Sequence, residues 1–330
     1  MMPFINSAKR GSWVRRCRVG LASGLIVAIS MLSLARAWGD ERRSFTSPED
    51  AVKALIEALK VNDTKALLDL FGPGSEDLVS SGDPEADEVR RKKFVNLYEL
   101  KHRLDKVSAE KVFLYIGDDD WPFPIPVVKA VAGWQFDAKE GREEILARRI
   151  GRNELSAIQV CLAYVDAQRE YASEDRDGDG LLEYAQQFRS DPGKKNGLYW
   201  PETDKNDRSP LGSLMVAAEA AGHSAPAPGS GPTPFYGYYY RILKAQGKHA
   251  PGGAYDYIVH GKMIGGFALV AYPAHFGASG IMTFIVNHDG VVYQKDLGEK
   301  TETVAKEMTV FDPDATWKKV EQIAEVKKKE

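Results

Sequence analysis

Val52, Leu55, Ile56 and Leu59 recur at helical spacing, which predicts an amphipathic helix early in the chain. Ser47-Pro48-Glu49-Asp50 opens it, with Ser47 as N-cap, Pro48 at the first helical position and Asp50 three residues after the cap. Asn62-Asp63 breaks the pattern, residues 64–71 predict a second short helix, and residues 94–104 a third. The period then shortens. Residues 111–116, 126–132 and 134–136 read as strands, with Gly117-Asp118-Asp119-Asp120 as a turn. From 142 to 171 the pattern predicts one long helix, bent at Gly151, with Leu155, Ile158, Leu162 and Val165 as its apolar stripe and Cys161 buried beside it. An acidic loop at 174–180 ends that helix, a short helix is expected at 182–189, and the Ala/Pro/Gly-rich residues 225–234 read as a loop.

Strand-length runs of glycine and aromatic residues follow: Tyr236-Gly237-Tyr238-Tyr239-Tyr240-Arg241-Ile242-Leu243, Gly252-Gly253-Ala254-Tyr255-Asp256-Tyr257, Gly265-Gly266-Phe267-Ala268-Leu269-Val270-Ala271-Tyr272-Pro273, and the stretch from Met282 to Gly298. They predict a meandering antiparallel sheet with a hairpin turn at Asn287-His288-Asp289-Gly290. A charged tail from 312 is expected to end in a helix. The fold class is α+β. A small helix-plus-sheet domain at 44–140 is expected to precede a long helix packed on a glycine- and aromatic-rich antiparallel sheet at 141–311, with a tail at 312–330.

These runs, with Asn196-Gly197-Leu198-Tyr199-Trp200-Pro201 and Ser209-Pro210-Leu211-Gly212, closely resemble the bacterial secreted family known as domain of unknown function 2950. The resemblance covers nearly all of the chain after its leader and implies no activity. The first domain is similar in pattern to nuclear-transport-factor-2-like α+β folds. The helix-on-sheet part is similar in topology to the globular half of type IV pilins and pseudopilins. Unlike a pilin, the stretch Glu143-Glu144-Ile145-Leu146-Ala147-Arg148-Arg149 is charged and follows another domain, so polymerisation by the pilin route is not expected.

Residues 1–37 carry the marks of a signal peptide. Lys9, Arg10, Arg15, Arg16 and Arg18 precede an uncharged apolar run from 19 to 35, and Ala35-Arg36-Ala37 fits signal peptidase. The chain is expected to start at Trp38 and to be periplasmic or secreted, with no membrane span once cleaved. Residues 1–37 hold six basic and no acidic residues, so the 44 basic residues fall to 38 against 47 acidic, a net charge of −9. That balance argues against nucleic acid as a partner. Cys161 is then the lone cysteine, which excludes an internal disulfide.

The sharpest motif is Asp175-Arg176-Asp177-Gly178-Asp179-Gly180-Leu181-Leu182-Glu183. Carboxylates at alternate loop positions converge on a hard cation, the glycine allows the sharp turn, and a backbone carbonyl follows. Asp175, Asp177, Asp179, Leu181 and Glu183 are therefore candidate calcium ligands, in a structural role. Gln186 stands where the loop's twelfth-position glutamate belongs, which weakens or reshapes the site. Asp118-Asp119-Asp120 reads as a solvated hairpin tip, since consecutive residues do not converge. The six histidines make no metal spacing, and no GxSxG or SxxK motif with supporting context occurs. Tyr238, Tyr240, Tyr255, Tyr257 and Tyr272 are a candidate ligand or partner surface, with sheet core as the competing role. Trp121-Pro122-Phe123-Pro124-Ile125-Pro126 is extended and apolar, and packs across the domain junction or meets a partner. Together these features suggest a non-catalytic binding or envelope accessory module with an envelope protein as partner, monomeric or in a small oligomer. The alternative is a secreted hydrolase or other enzyme with carboxylates at the domain junction.

Overall fold

The structure is a computed structural model and describes residues 42–80, 84–201, 207–220 and 233–321. The expected signal peptide, the 225–234 loop (up to 232) and the end of the tail lie outside the described residues. Four helices open the fold: α1 (Pro48–Lys60), α2 (Thr64–Phe71), α3 (Glu76–Val79) and α4 (Pro84–Leu100). Ser47 caps α1, its Oγ accepting from the Asp50 N–H at 3.0 Å. Strands β1 (His102–Ser108), β2 (Lys111–Ile116), β3 (Trp121–Pro122), β4 (Val127–Ala130) and β5 (Gly133–Phe136) form an antiparallel sheet in the order β1-β2-β4-β5, with β3 also on β2. The expected third helix stops at Leu100, and His102–Ser108 is a strand instead. Five consecutive register pairs from His102↔Ile116 to Lys106↔Val112, and Ser108↔Lys111 beyond a bulge, tie it to β2, and long-range pairing outweighs the local helical spacing.

Helix α5 (Ala138–Tyr171) follows, capped by Asp137, whose carboxylate accepts from the Glu140 N–H at 3.1 Å. At 1.5 Å per residue it is about 50 Å long. Ala138 belongs to a first hydrophobic core with Leu55, Leu70, Leu114, Ile116 and Phe136. Ala157, Cys161, Tyr164, Val165 and Tyr171 belong to a second. The buried face therefore differs from the expected stripe. Leu155 is 48% exposed and Ile158 and Leu162 are only partly buried, while the smaller Ala157 and Cys161 lie against the sheet. Small residues let the helix approach a sheet that already carries bulky aromatics.

After α6 (Gly212–Ala220) come β6 (Tyr238–Leu243), β7 (Ala245–Gln246), β8 (Tyr255–Asp256), β9 (Ile258–Val259), β10 (Lys262–Met263), β11 (Ala268–Pro273), β12 (Met282–Asn287), β13 (Tyr293–Asp296), α7 (Thr301–Glu307) and β14 (Lys318–Lys319). The main sheet runs β14-β13-β12-β11-β6, all antiparallel. The 287–290 turn joins β12 to β13 as expected, with Gly290 at φ +78° and its N–H bonded to the Asn287 carbonyl at 2.9 Å. Strand β11 is buried along its whole length, which explains its non-alternating Leu269-Val270-Ala271-Tyr272. Helix α5 packs against β11 and β12, and α7 also packs on β11. Arg241, paired in register with Val270, reaches α7 and donates to the Ala305 carbonyl at 2.5 Å and to that of Met308. Helices α5 and α7 thus both contact β11, whose non-alternating residues call for cover on both sides.

The short helix expected at 182–189 is absent. Its backbone groups pair with distant ones: Tyr184 N–H with the Met263 carbonyl (2.8 Å), Ala185 N–H with Gln168 Oε1 (2.8 Å), and Tyr199 N–H with the Phe188 carbonyl (2.8 Å). In the tail, 318–319 form the strand β14; the helix expected at its end lies outside the described residues. Among the described residues, no helix is long and apolar enough to cross a membrane.

Candidate functional site

The acidic loop folds around its own backbone. Asp175 accepts from the Gly178 and Gly180 N–H groups at 2.8 and 2.9 Å, and Asp179 from the Leu181 N–H at 3.0 Å. Gly178 and Gly180 sit at φ +75° and +88°, a conformation that glycine adopts without strain. Carboxylate oxygens of Asp175, Asp177 and Asp179 lie within 4.8 Å of one another, all three exposed. Into this cluster β10 sends Lys262, which the sequence reading did not single out. Its ammonium donates to Asp177 and lies 2.7 Å from Asp179 and 3.0 Å from Glu183. Glu183 thus joins the cluster through Lys262, whereas Leu181 contributes its N–H and an exposed side chain. Gln186 donates to the Gly261 carbonyl at 2.7 Å, so its amide is engaged elsewhere.

These contacts set the charges. The Gly180 N–H, first among several donors, holds Asp175 below the usual carboxylate range, and Lys262 does the same for Asp179. Lys262 is held well above the ordinary lysine range, chiefly by Asp177 and then by Asp179 and Glu183. One ammonium contacts three carboxylates and a fourth, Asp175, stands beside them, so the cluster retains negative charge toward a further cation. Carboxylate oxygens so grouped could hold a metal ion, with Lys262 as an internal competitor. Asp118-Asp119-Asp120 forms the turn between β2 and β3, and Asp120 pairs with Lys101 at 3.1 Å and Arg103 at 3.5 Å.

The five tyrosines do not share one surface. Tyr238 and Tyr257 are fully buried, with hydroxyls donating to the Met282 carbonyl and to Gln246 Oε1, both at 2.9 Å. Tyr272 is buried with its ring 5.6 Å from Tyr239, and Tyr240 donates to the Phe235 carbonyl at 3.3 Å. Tyr255 is exposed and stands edge-on to Tyr257. Burial pushes all five phenols up. Strand alternation in β6 and β11 directs Tyr238, Tyr240 and Tyr272 into packed surroundings, which composition alone does not reveal.

A cleft of about 440 Å³ opens in the first half of the fold. Leu55 of α1, Leu67 and Phe71 of α2, Phe94 of α4, and Phe123 and Ile125 from the Pro-rich segment line it. Trp121 and Ile145, 43% and 37% exposed, line it too. The alternating prolines lack N–H groups, so this segment leaves the sheet after β3 and turns its side chains elsewhere. It packs on α5 as well. Arg148 donates to the Pro122 carbonyl at 2.8 Å and stacks over Trp121, and Gly141 passes so close to Ile125 that a Cβ there would lie 2.6 Å from Ile125 Cγ1. The segment therefore packs on the start of α5, and it also walls a cavity. Among the described residues, the charged ones of the lining are Asp77, Asp87, Arg90 and Arg91. Asp77 is held by Arg142 (3.2 Å) and Asp87 by Arg90 (2.5 Å). Arg91 is buried, and donates to Asn62 Oδ1, to Thr64 Oγ1 (3.2 Å) and to the Val79 carbonyl (2.9 Å). The sequence marks Leu55 as a packing residue and the Trp121–Ile125 segment as one that packs or meets a partner, and Arg91 falls before the helix expected at 94–104, so nothing in the sequence brings them together as a cleft.

No curated protein and no solved structure matches the chain. Over residues 42–320 it matches the family described as Protein of unknown function (DUF2950), and the chain belongs to that family.

Proposed function

We propose that this chain is an exported, non-catalytic binding module of the bacterial cell envelope. The cleft at α1, α2, α4 and the Trp121–Ile125 segment is its ligand site. The observation that carries this reading is the cleft's make-up: a volume of about 440 Å³ with largely apolar walls, in which the two carboxylates among the described residues, Asp77 and Asp87, are engaged by arginines. Small-molecule sites are of that size, roughly 300–1,000 Å³, and mostly apolar with a few fixed polar groups. The basic residues, apolar run and Ala35-Arg36-Ala37 before residue 38 support export, and the family match begins only at residue 42. The Asp175–Glu183 loop is proposed as a structural calcium site that fastens the segment after α5 to the β9–β10 hairpin, with Lys262 doing that work when calcium is low.

The cleft is tested with the neutral dye N-phenyl-1-naphthylamine. A saturable rise in fluorescence at one site per chain is expected. Ile145→Glu, at a partly exposed position where a charge does not disturb the core, should abolish it. Absence of saturable binding to the wild type refutes the cleft as a ligand site. Export is tested by N-terminal sequencing of the protein from the periplasm, which should begin at Trp38.

A further inference from the structure

We infer that the cleft takes a small apolar molecule carrying a single carboxylate, and that Arg91 is the group that receives the carboxylate. This rests on the reading of the cleft as a ligand site and names the class of ligand. Arg91 is only 9% exposed and lines the cavity. The three acceptors that it meets, on Asn62, Thr64 and Val79, are neutral oxygens. Burying a cation without a counter-ion is costly, and among the described residues no carboxylate comes within ion-pair distance of Arg91; Asp77 pairs with Arg142, and Asp87 with Arg90.

A guanidinium offers about five N–H donors in a planar fork. Three hydrogen bonds to Asn62, Thr64 and Val79 leave donors for an anion. A monoanion with a planar pair of oxygens suits that residual capacity, whereas a phosphate dianion calls for more positive charge than one arginine supplies. The rest of the lining is aliphatic and aromatic, from Leu55, Leu59, Leu67, Phe71, Phe94 and Phe123. That surface suits an alkyl chain or a ring system and offers little to a polar body. A cation buried in a wall that otherwise excludes water is an anchor for the head of an amphiphile. As a purely structural brace for the Asn62 turn, a neutral donor would serve without the cost of a buried charge.

The test is calorimetric titration of the mature protein with four probes of one chain length or series: octanoate, decanoate, decanol and decyltrimethylammonium, each below its micellar concentration. Decanoate should bind at least tenfold more tightly than decanol, as expected for a charge-assisted hydrogen bond. Decyltrimethylammonium should bind more weakly than decanol. Decanoate should exceed octanoate by roughly fourfold per methylene if the chain lies in the apolar cavity. Arg91→Met should remove the preference for decanoate over decanol, and Arg91→Lys should keep part of it. Since Arg91 also braces Asn62 and Val79, the wild-type comparison of decanoate with decanol decides the question even if Arg91→Met does not fold. Equal binding of decanoate and decanol overturns the assignment of the carboxylate while leaving the cleft as an apolar ligand site. Binding of neither alkyl probe, with no dye binding, overturns both.

Discussion

Gln168 is a buried amide on α5 that fixes the segment leading out of the acidic loop. Its side chain is fully buried. Its Nε2 donates to the Ala185 carbonyl at 2.8 Å and to the Tyr164 hydroxyl at 3.0 Å, while its Oε1 accepts from the Ala185 N–H at 2.8 Å. It thus pairs with both backbone groups of Ala185 as a neighbouring strand would. Gln168→Leu keeps most of the volume and strands those two backbone groups in a residue that is itself buried. Each unsatisfied buried group costs about 1–3 kcal/mol, so a loss of about 3–4 kcal/mol is expected after partial relaxation. Against a total stability of about 5–15 kcal/mol, that is a large fraction. Urea denaturation should show the midpoint falling with an unchanged slope. Hydrogen exchange should show the Ala185 amide losing protection before the core of β11 and β12 does. Gln168→Glu offers a sign test. Its carboxyl would have its folded pKa raised by burial, so its contribution is present below the unfolded value of about 4.3 and is lost as pH rises through the folded value. That variant should therefore be less stable relative to wild type at pH 8 than at pH 5. A Gln168→Leu midpoint within error of wild type, with Ala185 still protected, would refute the bracing role.

Melting with excess calcium and with chelator should differ by several degrees, and Asp177→Ala should abolish the difference; identical wild-type curves would reduce the loop to a lysine-pinned turn. Lys262→Met removes the internal ammonium and should make stability depend more steeply on calcium, read as a larger shift between the same two melts. Burial pushes the Cys161 thiol up to about 12, so the mature protein should leave a thiol reagent unreacted at pH 8 and consume one equivalent in denaturant. Gly141→Ala gains roughly 1 kcal/mol of helix propensity, but its Cβ would lie 2.6 Å from Ile125 Cγ1 and 3.1 Å from Ile125 Cβ. Overpacking of about 1–3 kcal/mol should dominate, and urea denaturation should show net destabilisation.

Local patterns decided much of what the sequence made readable. The Ser47 cap and Pro48 place the start of α1 because capping depends on neighbours within one turn. The long apolar-periodic segment gave α5, and Asn287–Gly290 gave a hairpin, since both depend on residues close in sequence. The unalternating Leu269–Tyr272 demanded cover on both faces, although only the packed chain names α7 as that cover. Clustering of Asp175, Asp177 and Asp179 was legible from their spacing. Lys262 was not, because it comes from a hairpin some eighty residues away and carries no motif. The same holds for the cleft. Leu55, Phe94 and Phe123 carry the hydrophobicity of any core residue, and only the departure of the Pro-rich segment from the sheet leaves space between them. The turn from residue 182 to 189 shows the other side of this division. Its side chains permit a helix, and Gln168, Met263 and Tyr199 take its backbone groups first. Hydrogen bonds between neighbours can be read from order along the chain, whereas those between distant segments exist only once the tertiary fold has chosen which surfaces meet.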